Sequence, residues 1–211
     1  MKKNFLYFIL FICFGLLAYN SVYFRKLSEM KKATDKQFDA GDFAKKLWEG
    51  ELQTSINSAI ELPLLLKSIN ENPDAAFEQN THALAIGNYR YAMVKLNGRI
   101  TRINENEILV SIDLPHADSL LNVAITTEFV YGNAVRDASG LLDVRDFNNA
   151  ADLNNIAEAL NALVRKNIVP SLRTTAKENS MVELVGAVQL NREHVAKEML
   201  EIIPLKTLSI R

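Results

Sequence analysis

Arg136-Asp137 sits just past an apolar run that reads as a strand, where a guanidinium can bind a carboxylate or sugar hydroxyls and the aspartate can orient it. More often such a pair is an internal salt bridge that fixes the strand exit. Asp146, Asn148 and Asn149 offer oxygens for a ligand's hydroxyls or a hard cation, yet Asp and Asn ahead of a helix are first of all caps and turns. Tyr89, Tyr91 and Lys95 share one strand face beside Arg90, an aromatic and basic surface on which bases or sugars stack; the alternative is a barrel wall packed by helices. Trp48 can stack on a sugar ring, although its place on a helical apolar stripe makes it a core residue first.

Other chemistries find less support. Asp113, His116 and Asp118 share one short loop, whereas metal sites draw three or four converging ligands with supporting shells, so no metal is expected. His82 and His194 have no cysteine or histidine at ligand spacing and read as solvated or singly hydrogen-bonded. There is no Gly-x-Ser-x-Gly elbow, the eight glycines make no phosphate loop, and the one cysteine, Cys13, lies in an apolar run. No cofactor and no catalytic set are therefore expected. The catalytic alternative is a carboxylate pair, Asp137 with Asp146, which would need a separation of about 5–10 Å in a cleft.

The elements that must position these residues begin with a membrane segment. Lys2 and Lys3 precede an uncharged run from Phe5 to Phe24, long enough to span a bilayer, with Tyr19 and Tyr23 near one interface. Three fates are open: a retained single-pass anchor over 1–26, a cleaved signal, or lipid attachment at Cys13. Leu16 is poorly placed for cleavage after Ala18, and Phe11 and Ile12 are bulky for a lipid site, so retention is favoured. Arg25, Lys26, Lys31 and Lys32 outnumber the basic residues of the short amino-terminal flank, but such a short flank is typical of exported chains. The expectation is inner-membrane anchoring with the globular part in the periplasm. Beyond residue 24, 22 Lys+Arg face 25 Asp+Glu, because Lys2 and Lys3 drop out of the total of 24 basic residues. That balance argues against nucleic acid as a partner.

Residues 27–86 read as a small helical subdomain. Phe43, Leu47, Trp48, Leu52, Ile56, Ala59 and Ile60 follow helical spacing, with Asp39 as cap and Pro63 as interruption. Leu64, Leu65, Leu66 and Ile69 continue a second helix, and Asn72-Pro73 starts a third. From 87 to 211 the period shifts to two. Strands are expected over 89–102, 107–113, 121–130, 181–190 and 202–210, with Asn97-Gly98 either a tight turn or a bulge. Pro204 predicts an exposed or irregular end to the last strand. The Leu153, Ile156, Leu160 and Val164 stripe predicts one helix between strands three and four, and residues 191–200 a helical insertion. Three strands, a helix and two strands is the element order of an OB-like five-stranded antiparallel barrel in an α+β chain.

Three motifs carry a family resemblance: Gln37-Phe38-Asp39-Ala40 followed by Trp48; Gly132-Asn133-Ala134-Val135-Arg136-Asp137; and Asp146-Phe147-Asn148-Asn149 running into Asn154 through Asn161. Together they resemble the bacterial Domain of Unknown Function 2291, a family of predicted periplasmic lipoproteins. The resemblance implies a helical subdomain with an OB-like barrel, export, and a gene neighbourhood often shared with sugar ABC transporters; it implies no known activity. The chain departs from the family pattern in lacking a good lipid-attachment motif and in being longer near 191–200.

The leading reading is a membrane-anchored, envelope-facing, non-catalytic binding protein whose partner is a transporter component, another envelope protein or a small carbohydrate. A structural or assembly factor is the second reading, and the Asp137/Asp146 hydrolase the third.

Overall fold

The computed structural model describes Tyr7, Phe14 and residues 38–114, 120–147, 149–195 and 199–211. The chain divides into two units, Met1–Phe38 and Asp39–Arg211. Tyr7 and Phe14 are helical; the rest of the expected membrane segment lies outside the described residues. Among the described residues no helix is long and apolar enough to cross a membrane.

Asp39 caps α1 (Ala40–Glu49) by accepting the Asp42 N–H at 2.9 Å. The expected long helix then breaks at Gly50, whose φ of −110° and ψ of −107° are not helical, and resumes as α2 (Glu51–Asn57). The apolar stripe survives the break, with Ala44, Leu47, Leu52 and Ile56 all buried. Pro63 starts rather than interrupts a helix: it occupies the first turn of α3 (Leu62–Glu71), where its missing N–H would have had no partner. Asn72 caps α4 (Pro73–Asn80) through the Ala75 N–H at 3.3 Å.

The strands are β1 (Ile60–Glu61), β2 (Tyr89–Ile103), β3 (Glu107–Asp113), β4 (Leu120–Thr126), β5 (Met181–Asn191) and β6 (Leu200–Ile210). Among the described residues there are six where five were expected, because the two-residue β1 pairs in parallel with β2. The five long strands hydrogen-bond in a closed circuit, β2-β3-β4-β6-β5 and back to β2. The circuit is not wholly antiparallel, since β4 and β6 run the same way. Between β4 and β5 the expected single helix is accompanied by others: α5 (Ala134–Ala138), a 3-10 turn at Val144–Asp146, α6 (Ala150–Asn167) and α7 (Val169–Thr175). The third strand ends at Thr126 rather than 130, and of the helical insertion expected over 191–200, Asn191 and Leu200 belong to β5 and β6 and residues 192–195 form a turn.

Asn97-Gly98 makes no hairpin, because β2 runs straight through it. The irregularity falls at Thr101, where the pairing with β3 shifts between Ile100 and Arg102. Gly98 serves close packing: a methyl there would lie 2.6 Å from Ser111 O. Pro204 sits mid-strand and buried opposite Gly186, and β6 is irregular both there, where Leu205 has no opposite residue, and near its end, where Leu208 has none.

One core fills the ring interior, where Val94, Ile100, Val110, Ile125, Leu184 and Ile202 meet Leu62, Leu65 and Phe77 from α3 and α4 and Leu172 from α7. This core crosses the boundary placed between residues 86 and 87. A second buried layer lies outside the strands: α5 packs on β2 and β5, α6 on α5, and α1 on α6, burying Val135, Ile156, Leu160 and Leu47.

Candidate functional site

Arg136 and Asp137 lie on α5, inside this outer layer, and are only 5% and 4% exposed. Arg136 Nε donates to Asp137 Oδ1 at 2.6 Å, and its Nη1 donates to the Leu153 carbonyl of α6 at 3.0 Å. The pair therefore joins α5 to the start of α6 and is closed to solvent. Tyr91 of β2 is half-buried nearby; burial raises its pKa, and the Asp137 carboxylate raises it further. Tyr89, two residues back on the same face, is exposed. Of the sequence candidates, the structure thus brings Asp137, Arg136 and Tyr91 together, as support rather than as a surface.

Asp146 and Asn149 stay apart from that cluster. Asp146 is exposed on the 3-10 turn, and Asn149 caps α6 by accepting the Asp152 N–H at 3.0 Å. Asp137 has its carboxylate on Arg136, so the two halves of the catalytic alternative occupy unlike settings, one buried and ion-paired, the other in solvent. Trp48 is half-buried on α1. His116, Asp118 and Asn148 lie outside the described residues, among which no cluster of three metal-ligating side chains occurs.

A cleft of 270 Å³ opens where the outer layer ends, and sequence reasoning missed it. Its lip is the loop after β4. Val130 is fully buried and anchors the loop, so the flanking Phe129 and Tyr131 point outward, 56% and 58% exposed, with ring centroids 6.1 Å apart. Two α6 side chains hold the loop by its carbonyls: Asn161 Nδ2 donates to Gly132 O at 2.9 Å and Arg165 Nη1 to Val130 O at 2.6 Å. Gly132 has a φ of +76°, which a side chain would resist. The Arg165 guanidinium also lies 5.8 Å from the Tyr131 ring centroid, a cation–π contact that fixes the ring.

Gln189 and Asn191 of β5 and Glu201 of β6 supply polar groups to the same cleft, with His194 and Met199 from the connection between those strands. Tyr91 pairs with Gln189 and Tyr89 with Asn191 across β2–β5. The tyrosine face expected from the sequence thus borders the floor of the cleft, one strand away. The arrangement sets two flat apolar faces beside amide and carboxylate groups, suited to a ligand with an apolar face and a hydroxylated rim.

A family model described as "Predicted periplasmic lipoprotein (DUF2291)" matches residues 12–207. No curated protein matches the chain. Among solved structures, an OB-fold protein from Thermotoga maritima MSB8 matches with a TM-score of 0.70 and 25% identity, over 82% of this chain and 99% of that one.

Proposed function

The chain belongs to the DUF2291 family of predicted periplasmic lipoproteins, and on that footing we propose that it is an envelope-facing, non-catalytic binding protein that takes a small carbohydrate in the Phe129/Tyr131 cleft. The run from Phe5 to Phe24 holds it at the inner membrane, and its partner is a component of an ABC-type sugar uptake system. The observation that carries the reading is the paired, exposed Phe129 and Tyr131 over Gln189, Asn191 and Glu201. Aromatic faces take the C–H face of a sugar ring, while fixed amides and a carboxylate satisfy its hydroxyls, which would otherwise lose their bonds to water. Catalysis would instead require groups poised to exchange protons, and Asp137, the most buried acidic residue among the described ones, is committed to Arg136.

Thermal unfolding of the full chain in mild detergent, scanned against mono- and oligosaccharides, tests this. A ligand at about a hundredfold its Kd adds roughly 2.7 kcal/mol, which raises Tm by several degrees in a domain of this size. Tyr131→Ala should abolish the shift. A flat response to every saccharide would refute the carbohydrate reading and leave the aromatic lip as a surface for an envelope protein.

A further inference from the structure

A second cleft, of 640 Å³, lies between β2 and β3 and shares no lining residue with the first. Arg99 stands directly opposite Ser111 in the β2–β3 register, and Asp113 is two residues further along the same face of β3. Diagonal neighbours of this kind are about 7–8 Å apart. An arginine and an aspartate so placed commonly form an ion pair. Here they do not: neither has an ion-pair partner among the described residues, and Arg99 spends Nη1 on the neutral Asn179 carbonyl at 2.7 Å. Between them the Ser111 hydroxyl is buried without a hydrogen-bond partner. Buried hydroxyls are nearly always bonded, and this one, on a residue of the cleft wall, has its donor and acceptor sites unused by any protein group. Leu120, 64% exposed, and Pro63 and Met181 give the cleft an apolar side. Glu61 also lines it, but its carboxylate is held by Lys95 at 3.2 Å.

We propose that this cleft binds a zwitterionic amino acid or short peptide with an apolar side chain. The carboxylate pairs with Arg99, whose planar fork suits it, the ammonium pairs with Asp113, and the Ser111 hydroxyl bonds the polar atoms between. The side chain rests against Leu120, Pro63 and Met181. A simple anion would meet Asp113 and a simple cation Arg99, so only a ligand carrying both charges satisfies both walls.

Calorimetric titration of the full chain in mild detergent with L-leucine, leucyl-leucine, N-acetyl-leucine and leucinamide tests the assignment. One or both zwitterions should bind, and the two singly charged analogues should bind at least tenfold more weakly. The tighter of leucine and leucyl-leucine tells a free amino acid from a peptide. Arg99→Gln should remove the penalty for amidation and Asp113→Asn the penalty for acetylation, while Tyr131→Ala leaves leucine binding unchanged. Absence of binding by both zwitterions, equal binding of the capped analogues, or unchanged affinity in both charge variants would overturn the proposal. The analogue series needs no variant, so misfolding cannot rescue it.

Discussion

Arg136 is charged, nearly sealed from water, and answered by one carboxylate and one carbonyl. Removing it leaves Asp137 buried and unpaired, and breaking such a pair from one side costs about 3–5 kcal/mol. Arg136→Met should therefore lose roughly that much in urea unfolding. The double variant Arg136→Met/Asp137→Leu should recover most of it, because apolar replacement of both partners removes the buried charge. A single variant no less stable than the native chain would mean that the pair is solvated. At this scale the legible features were the short-range ones. Asp39, Asn72 and Asn149 act as caps because a cap and the N–H it bonds lie within three residues. Phe129 and Tyr131 were not legible as a lip, since the loop that carries them is held in place by Asn161 and Arg165, 29 and 35 residues from the carbonyls they bond.

Strand positions could be read from alternation, and β3 matches its expected bounds residue for residue. Pairing could not, because alternation says which face a side chain takes and nothing about which strand lies alongside. The parallel β4–β6 contact helps close the ring, and the two-residue β1 pairs with β2 outside it; both join segments far apart in the chain. Gly186 shows what closure demands locally. A methyl there would collide with Ile202 Cγ2 and lie 2.6 Å from Ile203 O, at the point where Pro204 and the unmatched Leu205 turn β6. Gly186→Ala should cost roughly 1–3 kcal/mol, as overpacking does, and lower Tm accordingly. Gly87→Ala, with nothing within 4 Å of the new methyl, should fall within about 0.5 kcal/mol of native. Equal effects would mean that β5 and β6 separate easily and that the ring opens at this seam.

For the whole molecule, two attachments to the envelope make opposite demands on Cys13. The family is described as predicted periplasmic lipoproteins, and Cys13 is this chain's one cysteine, so a thioether-linked lipid there is the first attachment to test. The residues before it, Leu10-Phe11-Ile12, are bulky, and the uncharged stretch from Phe5 to Phe24 contains Cys13 near its middle. A stretch of about 20 apolar residues spans the hydrocarbon core unaided, and a thioether-linked diacylglyceryl group, with two acyl chains, also anchors stably, so the two attachments are separated by experiment. If the stretch is the anchor, Cys13→Ser should remain in the membrane fraction through an alkaline carbonate wash, and the native protein should take up no labelled palmitate. A cysteine placed at exposed Lys177 in that background should react with a membrane-impermeant maleimide in intact spheroplasts, which puts the Asp39–Arg211 unit outside the inner membrane. Uptake of labelled palmitate by the native protein, lost in Cys13→Ser, would instead make the lipid the anchor and the apolar run a leader. Labelling only after lysis would reverse the orientation, and with it any role for the Tyr131 cleft in capturing periplasmic solutes.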